Sequence, residues 1–303
     1  MPTRTQYRQQ AAQEAGRYWS GTSDATASTA QLDDTALLSS LSINDLYVDY
    51  WLYIPGAGAE DQVRTVSLYT PSVSSTGRLT NDRAWSATSV PTSVAYELHG
   101  MFDPRDMHTY INDGLKRCFV EVEITVTPTA QATRHDLTTA NTWLTKDSWV
   151  RQVGYLTTGE TRANVDPYRG RVVRGYAEKL SNLVYMVTPN RTFSSSETIY
   201  VKCCKPAYFH CRASGGTFGD QSGLAAETDE AVPTVEWVAW AALAEASRRG
   251  FTSPNTEAQK LWSDREGRFA QLFNQARAEE CHLPARTFRP VIYVGVGRYG
   301  RGR

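Results

Sequence analysis

Residues 96–126 read YELHGMFDPRDMHTYINDGLKRCFVEVEITV, and two structural periods meet in this run. Asp103 followed by Pro104 marks a helix start, because the aspartate side chain accepts from free backbone N–H groups while proline loses nothing at the first helical position. Met107, Ile111 and Leu115 then recur at four-residue spacing, laying one apolar stripe along a helix that ends near Cys118. From Phe119 to Thr127 the period drops to two. Val120, Val122, Ile124 and Val126 face one way and Glu121, Glu123 and Thr125 the other, as in a half-buried antiparallel strand. The two glutamates are therefore read as the solvated side of that strand.

Upstream, Tyr7, Ala11, Ala15 and Trp19 fall four apart, which predicts an amphipathic helix over Thr5–Trp19. Gly21–Ala30 is Ser/Thr/Ala-rich and reads as a linker. Leu46–Ile54 (LYVDYWLYI) and Gln62–Tyr69 (QVRTVSLY) are strand-like and flank the turn residues PGAGA at 55–59, so they form a hairpin. Weaker strands are expected at Gly77–Thr80 and Val94–Leu98. Downstream, strands are expected at Ser148–Leu156, Arg171–Tyr176, Asn182–Thr188, Glu197–Cys204 and Ala207–Arg212. Pro233–Arg249 reads as a helix apolar over much of its circumference, ended by Gly250, and a further helix runs from Ser253 to about Glu280.

The resulting plan is an N-terminal helix (1–20), a first β module (21–100), a core helix (101–118), a second β module (119–216), an acidic loop (217–232), core helices (233–282) and a basic C-terminal arm (283–303). Neither of the first two helices buries its stripe alone. The fold class expected is therefore α+β: a small helical bundle with two inserted antiparallel β modules and an extended arm.

Thirty-two basic residues balance 32 acidic ones over 303 positions, which argues against attachment to nucleic acid or anionic lipid by bulk charge. No window approaches the roughly 18 apolar residues of a membrane span, and residues 1–21 hold no apolar signal core, so a chain that stays in the cytoplasm where it is made, with no membrane partner, is expected. Five cysteines in a long chain do not resemble a secreted disulfide framework, and thiols are expected.

The neutrality is only global. Between Ala213 and Ser247 there are six acids and no Lys or Arg, whereas the last 21 residues carry five arginines and no acid. In that arm Arg286, Arg289, Arg298, Arg301 and Arg303 are interspersed with Phe288, Tyr293 and Tyr299, and Val291, Ile292, Tyr293 and Val294 are suited to adding a strand to an exposed sheet edge. These eleven residues are the expected partner-binding arm. Asp220, Glu227, Asp229 and Glu230 are the expected inter-subunit acidic surface.

Signs of catalysis are weak. Gly295, Gly297 and Gly300 spell G-x-G-x-x-G, but the dinucleotide mechanism needs a helix and an acid about 20 residues further on. Cys203, Cys204, His210 and Cys211 could be imagined as a zinc site, yet their adjacent pairs lack the two-to-four-residue spacing that lets ligands converge, and buried free thiols are the default. Gly219–Gly223 has the wrong spacing for a serine-hydrolase elbow, and the five histidines sit in ordinary-looking surroundings. No catalytic, cofactor or metal residue is assigned, and the chain is expected not to be an enzyme.

The segments TALLSS, LYVDYWLYIPGAGAEDQVRTVSLY and YELHGMFDPRDMHTYINDGLKRC, followed later by AETDEAVPTVEWVAWAALAEASRR, resemble a pattern in virion proteins of tailed bacteriophages, specifically head-to-tail connector (adaptor) proteins of the neck. The resemblance implies an adaptor-like helical core, a ring of twelve docked below the portal protein, a C-terminal extension (here about Leu283–Arg303) gripping the portal, and a channel through which phage DNA passes without sequence-specific binding. It places the protein in the virion neck, assembled in the host cytoplasm, with the β modules contacting downstream neck, tail or fibre proteins. A tail, collar or fibre-attachment protein is the alternative, and a cell-wall hydrolase a remote one.

Overall fold

The computed structural model describes residues 1–28, 30–37, 46–55, 62–73, 76–84, 93–137, 149–169, 171–180, 183–250 and 256–280. The fold is mixed α+β. It divides into two compact units, the first formed by residues 1–118 and 210–276, the second centred on residues 119–209.

The first unit opens with α1 (Arg4–Ala15), where Thr3 and Gln6 form a reciprocal capping box. The helix stops earlier than the four-residue spacing predicts, because Gly16 adopts φ 82° and turns the chain into a strand. Trp19 therefore lies in β1 (Tyr18–Thr22) and is half-exposed. The expected linker at 21–30 is also a strand region: the end of β1 is followed by β2 (Ala25–Ser28). Small Ser, Thr and Ala residues signal a flexible chain in isolation, but here their backbone groups are taken up by neighbouring strands.

The remaining strands of this unit are β3 (Gln31–Asp34), β4 (Trp51–Ile54), β5 (Gln62–Val73), β6 (Thr76–Asn81) and β7 (Ala95–His99). They form one antiparallel sheet in the order β1-β7-β4-β5-β6-β3-β2. The expected hairpin is present, with Trp51 opposite Thr65 and Ile54 opposite Gln62. Its first strand is shorter than the apolar run, since residues 46–49 form a turn with Asp49 at φ 67°. Leu32, Leu52, Val66, Tyr69, Leu79 and Leu98 line the sheet's core.

Helix α2 (Pro104–Arg117) starts as the sequence dictates. Asp103 is its N-cap, accepting from the Arg105 amide, and Met107, Ile111 and Leu115 are all buried. Helix α3 (Val235–Gly250) packs against both α1 and α2, which explains why Ala239, Ala241, Ala242 and Leu243 are fully buried. The α2–α3 approach is close at Gly114, where an added Cβ would lie 3.1 Å from the Ala242 amide nitrogen and 3.1 Å from the Val238 carbonyl oxygen. Helix α4 (Thr256–Glu280) stacks Phe273 on Trp237 of α3, with Arg117 of α2 over the same phenyl ring. The helices and the seven-stranded sheet thus share one unit, a closer union than a helical core bearing a separate first β module.

The second unit is inserted in the chain between Cys118 and His210. β8 (Phe119–Val126) shows the alternation read from the sequence, with Glu121 and Glu123 outward. β9 (Arg134–Asp136), β10 (Trp149–Leu156), β11 (Val172–Val173), β12 (Tyr176–Leu180), β13 (Leu183–Val187) and β14 (Thr198–Pro206) complete it. The sheets run β11-β10-β14-β8 and β12-β13-β9. Ile124, Val153, Ile199 and Val201 of the first sheet share a core with Met186 of the second and with Leu137 and Phe193, so the two sheets face each other as a sandwich. β9 was not anticipated, since three residues carry too little periodicity. Ala207–Phe209, expected to begin a strand, is a short 3-10 turn. Among the described residues no helix is long and apolar enough to cross a membrane.

Candidate functional site: a buried charge cluster in the first unit

Arg8 lies on the inward face of α1 with no solvent exposure. Its Nε and Nη2 donate to Oε2 and Oε1 of Glu97, on β7, both at 2.9 Å. Nη1 donates to Oε2 of Glu227 and also stands 2.9 Å from Nε2 of His108, on α2. The same His108 nitrogen stands 3.3 Å from Oε1 of Glu227. The guanidinium also covers the Tyr53 ring at 4.6 Å, and the Tyr53 hydroxyl donates to Oε1 of Glu227 at 2.9 Å.

A second layer completes the cluster. His99 Nε2 donates to Glu97 Oε2 and Gln9 Nε2 to Glu97 Oε1, each at 2.9 Å. Arg4 Nη2 pairs with Glu227 Oε1 at 2.8 Å, and the Thr5 hydroxyl donates to Glu227 Oε2 at 2.6 Å. Two arginines therefore face two glutamates, and the chain segments of α1, β4, β7, α2 and the loop before α3 all meet at one point.

Burial alone would raise both carboxyls. For Glu97, hydrogen bonds from His99 and Arg8 and the guanidinium charge outweigh it and hold the group down at about 2. For Glu227, the charge of Arg8, hydrogen bonds from Arg8 and Thr5, and the charge of Arg4 do the same, again to about 2. The Tyr18 hydroxyl is pushed up to about 12 by burial and by the nearby Glu97 charge. Beside the cluster, a crease lined by Ala12, Ala15, Arg17, His99, Met101 and Met107 has room for about one water molecule. Such an arrangement clamps elements together: each charged group is committed to another.

The four acids expected as an inter-subunit surface have partners within the chain. Glu227 is occupied by Arg4 and Arg8. Asp229 is buried, and its Oδ2 accepts from the amides of Ala225 and Ala226 at 2.7 Å each. Glu230 pairs with Arg212, and its backbone bridges Thr3 and Arg212. Only Asp220 is exposed, and it closes its own turn onto the Thr217 amide. Within the acid-only stretch Glu227 is met by the N-terminal helix, Glu230 by Arg212, and Glu245 by Arg248 and Arg249. The amides of Arg4 and Thr5 also donate to the carbonyls of Asp229 and Glu227, satisfying donors that a helix start leaves open.

Arg286, Phe288, Arg289, Val291, Ile292, Tyr293, Val294, Arg298, Tyr299, Arg301 and Arg303 lie outside the described residues. Cys203 and Cys204 are buried in the second unit and Cys211 is buried in the first, where His210 stacks on Phe218. Among the described residues no cluster of His, Cys, Asp and Glu has the arrangement of a metal site.

The sequence reading missed Arg8, Glu97, His99 and His108. Two signals were available. Arg4 and Arg8 share a face with Ala11 and Ala12, so an arginine sits inside the stripe of α1. Glu97 interrupts the apolar run of β7, four of whose five residues are buried. No family model matches the chain, and comparison with curated proteins finds no match.

Proposed function

We propose that the protein is a structural virion component of a tailed bacteriophage, an adaptor in the neck that docks as a ring on the portal protein and joins head to tail, with phage DNA passing through its channel. The observation that carries this reading is the order and packing of helices. A helix capped by Asp103 follows the first β region, and after the inserted unit an acidic loop leads into α3, which packs on α2. That order matches the segments in which the resemblance to connector proteins was found, and a buried helical centre serves as the adaptor-like core of such a ring subunit.

The internal commitment of Glu227, Asp229 and Glu230 alters one detail. These groups already have partners within the subunit, which supports giving the arm's arginines to the portal in preference to a neighbour's acids. The separate β unit supplies the surface for downstream neck, tail or fibre proteins. Its independence also favours a second reading, a tail, collar or fibre-attachment protein.

Cryo-electron microscopy of intact particles distinguishes these. A twelvefold ring on the portal is expected, whereas threefold or sixfold symmetry would place the protein in the tail or fibre apparatus. Deletion of residues 283–303 is expected to abolish head-to-tail joining. Normal, infectious particles from that deletion would remove the arm from the mechanism.

A further inference from the structure

Residues 119–209 contain a single imidazole, His135, and it sits inside the sandwich. β9 alternates exposed Arg134, buried His135 and exposed Asp136. His135 is directly opposite Met186 of β13, so its ring projects to the same side as that core residue and as Leu137 two positions on. The residue is 1% exposed, its ring stands edge-on to Phe193 at 5.7 Å, and among the described residues neither Nδ1 nor Nε2 has a hydrogen-bond partner. A polar ring kept without partners among apolar side chains is destabilising, and more so once it is charged.

Among the described residues, the surrounding charges offer a proton no counterion. On the same strand Arg134 and Asp136 face outward, and Arg134 pairs with Glu178 of β12 at 2.9 Å. Behind Phe193 stands a cation, Arg191, 5.0 Å from the ring centre and paired with Glu197. The facing sheet presents Ile124, Val153, Ile199 and Val201, together with Cys203, whose thiol burial pushes up to about 12 and so keeps neutral. Burial likewise lowers the pKa of His135 itself.

We propose that His135 is an acid trigger for the second unit: uptake of a proton that the core neither solvates nor pairs parts the three-stranded sheet from the four-stranded one and bares the apolar faces around Leu137, Met186 and Phe193. The sign follows from linkage. The open form binds the proton with ordinary imidazole affinity near pH 6.5 and the closed form more weakly, so the closed form is fully favoured above that pH and loses ground below it. Opening should rise by up to about 30-fold between pH 8 and pH 5.

Hydrogen–deuterium exchange of the full chain at pH 8, 6.5 and 5, corrected for intrinsic exchange rates, tests this. Peptides spanning 134–137 and 183–187 are expected to gain exchange at pH 5, by up to about 30-fold, while β3 and β6 of the first unit serve as an internal reference and do not. His135→Phe keeps a ring against Phe193 and should flatten the response. Unchanged exchange in the native chain, or an undiminished response in His135→Phe, would overturn the proposal. Should that variant fail to fold, the native histidine resonances decide by NMR. Titration of His135 in step with the gain in exchange supports the trigger, and its titration near pH 6.5 without any gain refutes it.

Discussion

Arg8 and Glu97 meet side-on, with two parallel N–H to oxygen contacts of 2.9 Å, both side chains almost completely out of water. They lie 89 positions apart, one on the first helix and the other on the seventh strand. Such a pair makes little net gain over a well-packed apolar pair, but removing one member leaves the other charged and stranded.

Arg8→Met should therefore destabilise the first unit by about 3–5 kcal/mol, because both Glu97 and Glu227 lose their shared cation. Glu97→Gln should cost less, since a neutral amide still accepts from Arg8. Urea denaturation of both variants checks the order; an Arg8→Met midpoint equal to the native one would show that the cluster contributes nothing.

Acid should unlock the same cluster. Glu97 and Glu227 are held at about 2 in the fold and titrate in the ordinary carboxylate range once unfolded. Their contribution is present above about pH 4.5 and disappears as pH falls toward 2. Circular dichroism melts of the native chain between pH 6 and 2 should show this loss, and Glu97→Gln should flatten part of the slope.

Gly114 allows α2 and α3 to approach closely. Gly114→Leu has to push the backbone of α3 away and should cost at least about 1–3 kcal/mol. Gly114→Ala sets a helix-propensity gain of about 1 kcal/mol against the 3.1 Å contacts, so its midpoint should lie far closer to the native value. Thermal melts of the two variants separate the size effect from propensity.

Cys203 should resist thiol reagents in the native state. Burial pushes its thiol up to about 12, next to Cys204 in a strand whose neighbours are apolar, so almost no thiolate exists at neutral pH. Mass spectrometry after brief iodoacetamide treatment should find Cys203 unmodified until denaturant is added.

Local order was readable wherever it depends on near neighbours in the chain. The Asp103–Pro104 cap, the stripe of Met107, Ile111 and Leu115, and the alternation from Phe119 onward are contained within a few residues each, and the structure has all three. Composition misled at 21–30, where small polar residues become strands because a remote strand, β7, and the next one in the chain, β3, pair with their backbone. The charge pattern was real but its use was not deducible. An acidic stretch and an arginine tail invite pairing, yet Glu227 is met instead by Arg4 and Arg8, more than 200 positions away. Likewise nothing local distinguishes His135 in a core from a histidine at a surface turn. Spacing along a chain expresses helix and strand periods, which are backbone geometry. Which charges meet, and which ring is left without a partner, depends on contacts between remote segments that exist only after the sheet and helices have closed on one another.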